Sequence, residues 1–225
     1  MSDIAFGFIL IAIIVLMGSV LLRHTMGRRN RNVSAMQEPD QKWIWCKDEV
    51  AMLVGLLEQQ ADTARDCVRL ADAQGKDGHA RFLVLIPEGN ASQRSRLCEV
   101  FGSDALDATP LLPESDEVGS VEEGMEELLE QNAEMHRCCA DLKRSLCKAK
   151  KIKAFQRIRE FDDFLETREK VISDLQRGLI REGQTMKLCN ICGSIFANDP
   201  PAFCLGCSAM NVEFKSFGPG DRAPA

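Results

Sequence analysis

Residues 4–22, IAFGFILIAIIVLMGSVLL, carry no charged side chain, whereas residues 25–42 are largely polar and include Pro39. From Trp43 onward apolar residues recur at steps of three and four. The first such series is Cys46, Val50, Leu53, Leu57, Ala61, Ala64, Val68 and Ala71, one buried face of a helix that Gly75 and Gly78 end. Ser120 and Glu123 have the S-x-x-E spacing of a capping box and open a second long helix. Its seam runs Val121, Met125, Leu128, Asn132, Met135, Cys139, Leu142 and Leu146. After Lys148, Lys150 and Lys151 a further helix places Phe155, Ile158, Phe161, Leu165, Ile172, Leu175 and Leu179 at matching intervals and finishes near Gly183. Residues 80–101 are ambiguous. Arg81 to Ile86 suits a buried strand and Pro87-Glu88-Gly89-Asn90 breaks a helix, but Ser92 to Phe101 is helical, so an interrupted helix is expected.

These patterns predict a mainly α chain. Residues 4–22 form a transmembrane anchor, 23–42 a basic and polar linker, and 43–184 a bundle. Residues 185–217 form a small β module holding four cysteines, and 218–225 a disordered tail. Four helices joined by one long crossover, here 102–119, give the ferritin-like variety of four-helix bundle. The same seams also fit an oligomeric coiled coil, so a homo-oligomer is an open expectation.

The apolar run is long enough for a hydrocarbon core crossed at 1.5 Å per residue. A cleaved signal peptide would have its positive charge before the run, but Asp3 stands there. Arg23, His24, Arg28, Arg29 and Arg31 follow it instead, as on the cytoplasmic flank of an uncleaved single span. The expected topology is N-terminus outside, remainder inside. Taking the four arginines and one aspartate of residues 1–31 from totals of 28 basic and 34 acidic residues leaves 24 and 33, a net charge of −9. Such an acidic body repels nucleic acid and argues against it as a partner. It leaves a membrane and a protein, either redox partner or scaffold.

Candidate chemistry lies at the C-terminal end. Cys189-x-x-Cys192-Gly193 and Cys204-x-x-Cys207 are two Cys-x-x-Cys turns separated by a short insert. Each turn aims two sulfurs and several N–H groups at one point, and two turns close a tetrahedral thiolate cage of the kind that selects zinc or iron. Packing or disulfide pairing is the competing reading. Of the chain's ten cysteines the other six, Cys46, Cys67, Cys98, Cys138, Cys139 and Cys147, lie scattered in helical sequence and read as buried free thiols in a reducing compartment. No phosphate loop is present, because Gly119 to Gly124 lacks the following Lys-Ser/Thr. Three dispersed histidines build no nucleophilic triad. The basic run Lys143 to Lys153 reads as a solvated helix end, with anionic lipid or an acidic partner as the alternative.

A bundle followed directly by four cysteines resembles the rubrerythrin family. The C-terminal segment is similar to its rubredoxin-like domain through Cys189-x-x-Cys192-Gly193, Pro201-x-x-Cys204-x-x-Cys207, Phe214 and Phe217, with Ser194-Ile195-Phe196 where an aromatic residue is usual. Glu58-Gln59-Gln60-Ala61, Glu134-Met135 and Phe155-x-x-Ile158-x-x-x-Asp162-x-x-Leu165 echo its helices. The resemblance implies a rubredoxin-type iron at Cys189, Cys192, Cys204 and Cys207, with zinc as the alternative. It also implies peroxide reduction at a di-iron site, built from a Glu on each of two helices and Glu-x-x-His on each of the others. The chain departs there. None of His24, His79 and His136 has Glu three positions before it. The matching positions read Glu58, Gly89-x-x-Ser92, Leu128 and Asp162-x-x-Leu165. The expectation is therefore no di-iron centre and no peroxidase. A membrane-anchored one-electron carrier is expected, with a redox-silent, zinc-stabilised interaction platform as the alternative.

Overall fold

The computed structural model describes residues 46–103, 118–180, 183–197, 203–210 and 212–218, all within one compact unit, Trp43–Ala225. The expected anchor, linker and most of the crossover and tail lie outside the described residues. Among the described residues no helix is long and apolar enough to cross a membrane.

The helices are α1 (Lys47–Ala73), α2 (Asp77–Leu83), α3 (Leu85–Phe101), α4 (Val121–Lys148) and α5 (Ile152–Gln176). A three-stranded sheet follows, made of β1 (Met186–Cys189), β2 (Ile195–Ala197) and β3 (Phe214–Phe217). α1 packs on α3 and α4, and α5 on α3 and α4, which closes a four-helix ring with α2 as a short lead-in to α3. The ambiguous stretch is helical, with its interruption at Val84, whose φ of −64° and ψ of −20° keep the chain near helical geometry. Pro87 falls in the first turn of α3, where a missing N–H forfeits no intrahelical bond. Ser120 Oγ accepts from Glu123 N at 3.1 Å, as the capping box requires, while Glu123 Oε2 accepts from Gly119 N rather than from the cap residue itself.

α1 ends as its glycine requires. Gly75 sits at φ +67°, and Lys76 N donates to Ala71 O at 2.9 Å, the long bond of a Schellman turn. Gly78 does not end a helix; it is buried inside α2. α5 stops at Gln176 rather than near Gly183, because Gly178 at φ +66° makes the same turn earlier, which leaves Leu179 62% exposed.

One apolar cluster fills the end of the bundle where Leu53, Leu57, Met135, Ile158 and Phe161 meet. The second joins Ala64, Cys67, Leu85, Ile86, Leu128 and Ile172 to Met186, Leu188 and Ile195 of the sheet. The sheet has the order β2-β1-β3 with both pairings antiparallel, and Leu188 lies opposite Ile195 and Lys215. Strands this short cannot bury a core of their own. They complete it against the helices.

Candidate metal centre

Cys189 closes β1, and the next four residues fold back on it. Gly193 N donates to Cys189 O at 2.8 Å and Cys189 N to Ser194 O at 2.9 Å. Gly193 sits at φ +71°, a conformation that favours glycine. The second turn repeats the first: Ser208 N donates to Cys204 O at 2.7 Å, and Ser208, in the place of Gly193, has φ +55°. The two turns bring Cys189, Cys192, Cys204 and Cys207 together with all four sulfurs within 4.8 Å of one another, three of the residues buried and Cys207 half-buried. Cys192 Sγ and Cys204 Sγ are 3.5 Å apart, far beyond the ~2.05 Å of a disulfide. A metal held by thiolates at ~2.3 Å in a tetrahedron needs sulfurs a little under 4 Å apart, so the cage fits one ion. Phe196 and Phe214 pack edge to face at 5.7 Å beside it. Ser194 Oγ lies 3.1 Å from Cys192 Sγ, in a space that only Gly206 opposite leaves open.

The electrostatics favour a cation in this cage. Hydrogen bonds from Cys192 and Cys204 push the Cys189 thiol down to about 2, while sharing its charge with Cys189 pushes Cys192 up, and the same contact pushes Cys204 up to about 12. Three crowded sulfurs thus hold one negative charge between protons. A bound metal ion would take the place of those protons.

The remaining cysteines behave differently. Burial raises Cys46, Cys67 and Cys138 to about 11 and pushes Cys139 up as well, which makes them poor nucleophiles. Cys98 and Cys138 are half-buried and Cys147 is exposed, so burial is not uniform among the six.

The bundle has a second polar focus, and the structure moves it away from the positions read in the sequence. Glu58 is exposed and pairs with Arg94 at 3.1 Å; Gln60 is the inward residue of α1. On α3 the inward pair is Asn90-x-x-Gln93, not Gly89-x-x-Ser92. On α4 Leu128 does face inward, with Asn132 one turn on. On α5 the buried pair is Leu165-x-x-Arg168, while Asp162 faces outward to His136 (2.6 Å) and Lys143 (2.5 Å). Gln60 Nε2 donates to Asn132 Oδ1 at 2.8 Å, Asn90 Nδ2 to Leu57 O at 2.8 Å, and Arg168 Nη1 to Gln60 Oε1. Arg168 is 1% exposed, lies 4.2 Å over the Phe164 ring, and is pushed down to about 9 by burial alone. Neutral amides and a guanidinium supply no negative charge to a metal, so these residues do not fit a di-iron cluster. Among the described residues the four cysteines are the only group able to hold a metal ion.

No protein-family model and no curated protein matches the chain. Solved structures do. One is nigerythrin in its fully reduced, all-ferrous state, with a TM-score of 0.66 and 11% identity over 76% of this chain and 86% of that one. Another is nigerythrin in its mixed-valent state, with a TM-score of 0.59 and 13% identity over 76% and 84%. At such identities the likeness is one of fold. It covers the helical bundle and the rubredoxin-like module together.

Proposed function

We propose that this chain, which has the fold of nigerythrin and holds a rubredoxin-like four-cysteine metal site, is a one-electron carrier anchored to a membrane by residues 4–22. The observation that carries the reading is the all-sulfur cage in its two matching turns. Bound iron would supply a one-electron Fe(III)/Fe(II) couple there. The chain's own residues do the rest. Backbone N–H bonds fix both turns, so the four ligand positions need not move when the charge changes. Phe196 and Phe214 keep one side dry. Ile191 and Leu205, one inside each Cys-x-x-Cys turn, are 48% and 51% exposed and form an apolar contact for a protein partner next to the sulfurs. The all-ferrous state named for one neighbouring nigerythrin structure supports iron over zinc.

The bundle in this reading is a scaffold without peroxidase chemistry, since Gln60, Asn90, Gln93, Asn132 and Arg168 stand where metal-binding carboxylates and imidazoles would be needed. The redox-silent zinc platform is the second reading. The apolar cluster shared by sheet and helices favours it, because a metal that completes the sheet also completes the bundle.

Elemental analysis of the full chain, purified after expression with iron supplied, separates the two. One iron per chain, lost on Cys192→Ser, is the expected result. One zinc per chain under the same conditions supports the platform instead, and iron well above one per chain would mean that the bundle carries a second centre.

A further inference from the structure

Among the described residues Arg168 is a cation without a counter-ion. Its guanidinium is buried, its one hydrogen-bond partner among the described residues is the neutral amide of Gln60, and its Nε and Nη2 have none. No carboxylate among the described residues pairs with it, whereas the surface arginines Arg65, Arg69, Arg94, Arg137 and Arg144 all pair with acids. A buried, unpaired charge costs several kcal/mol, so its retention in the middle of an otherwise apolar helix face calls for a charge that balances it.

Gly89 relates the guanidinium to the cysteine turn. A Cβ built on Gly89 would stand 3.2 Å from Arg168 Nη2 and 2.7 Å from the carbonyl oxygen of Gly193. Arg168 Nη2 and Gly193 O therefore both approach the same bare point of α3. Gly193 directly follows the ligand Cys192, and Gln93, one turn along α3 from Gly89, donates to Cys192 O at 2.6 Å. The first cysteine turn is thus seated on the bundle by Gln93 and Gly89, and the buried cation reaches the same glycine. Behind Arg168, Gln60 is itself held by Asn132 and, at 3.4 Å, by Asn90 Nδ2, so the guanidinium's placement is set by amides from three helices.

We infer that Arg168 is the internal counter-cation of the four-cysteine metal centre, oriented by Gln60 and facing the Cys192–Gly193 turn that Gln93 holds in place. Four thiolates around a divalent ion carry a net charge of −2, and around a trivalent ion −1. A fixed cation in a low-dielectric setting stabilises both, and the more negative state more. Two consequences follow from that ordering. With iron bound, Arg168 favours the reduced form. With zinc or ferrous iron bound, it favours the complex over the less negatively charged, partly protonated apo site. The inference rests on the reading that the cage holds a metal, but not on iron being the physiological one.

The test uses the full chain loaded with iron and, separately, with zinc. Arg168→Met removes the charge and keeps an apolar stem of similar length. Gln60→Glu leaves Arg168 in place and neutralises it with a carboxylate on Nη1, Asn132 turning its amide to donate. Lys215→Met removes an exposed cation, paired with Glu88, from β3 as a control. Both core variants are expected to shift the one-electron Fe(III)/Fe(II) equilibrium at least tenfold toward the oxidised form, a fall in potential of about 59 mV. They are also expected to weaken zinc retention against a competing chelator several-fold. Lys215→Met should shift either quantity less than threefold. If Arg168→Met does not fold, Gln60→Glu decides alone. Potentials and zinc retention within twofold of the parent in a folded core variant would overturn the inference. An exclusively zinc-loaded protein from its native source would overturn the electron-carrier reading while leaving this one standing.

Discussion

His136 and Asp162 join α4 to α5 on the bundle's surface through a 2.6 Å contact, with Lys143 on the same carboxylate. The hydrogen bond to Asp162 raises His136 above its ordinary value even though burial opposes it. Burial pushes Asp162 up, but the bonds from His136 and Lys143 together outweigh it and leave Asp162 lowered. The signs then fix a window. A histidine whose folded pKa is raised stabilises fully below its unfolded value near 6.5 and loses that contribution as pH rises through the folded value. An aspartate whose folded pKa is lowered stabilises above its unfolded value near 3.8 and loses that contribution as pH falls through the lowered one. Melting temperatures of the parent and of His136→Gln, followed from pH 4 to 9, are expected to differ most on the acid side of neutrality and to converge toward pH 9. A constant difference across that range would remove the ion pair from the account. At this same scale the cysteines were legible, because Cys-x-x-Cys spacing is a local geometry that needs no knowledge of the fold. The polar core was not. The buried positions of α5 step 158, 161, 165, 168, 172 and 175, so the interval itself marks residue 168 as inward, but an arginine there reads as a gap in the apolar seam rather than a member of it. Gln60 and Gln93 hid in the same way.

The long helices were readable because burial on one face imposes the same period on sequence and structure. Every seam residue named on α4 is buried. Their ends were less so, since a glycine stops a helix only where the chain adopts positive φ, as Gly75 and Gly178 do and Gly78 does not. The contact between α3 and the first cysteine turn could not be read at all, because it joins two glycines 104 positions apart, Gly89 and Gly193. It has a sharp consequence. Gly89 lies within a helix, where alanine is normally the better residue by about 0.5–1 kcal/mol. Here the added methyl would stand 2.7 Å from the Gly193 carbonyl oxygen. Gly89→Ala is therefore expected to destabilise by about 1–3 kcal/mol, the usual cost of overpacking, as read in urea unfolding of the metal-loaded protein. A stabilised Gly89→Ala would show that the module does not seat on α3.

Across the described residues, the sheet's apolar residues belong to the bundle's second core, and the four cysteines form a separate small cluster with Phe196 and Phe214. The described residues are thereby arranged as one body around one four-cysteine site, and in the proposed reading residues 4–22 and the arginines after them hold it at a membrane. A reporter enzyme fused after Ala225 is expected to work if it folds in the cytoplasm and to fail if it needs export; the reverse pattern would invert the topology. The central claim is that the four cysteines carry an electron. Its most direct test is a reductive titration of the full chain purified with iron supplied, followed by visible absorption. The account predicts a red protein that bleaches on taking up one electron per chain from dithionite and regains its colour in air. A colourless protein holding one zinc per chain and taking up no electrons would contradict it.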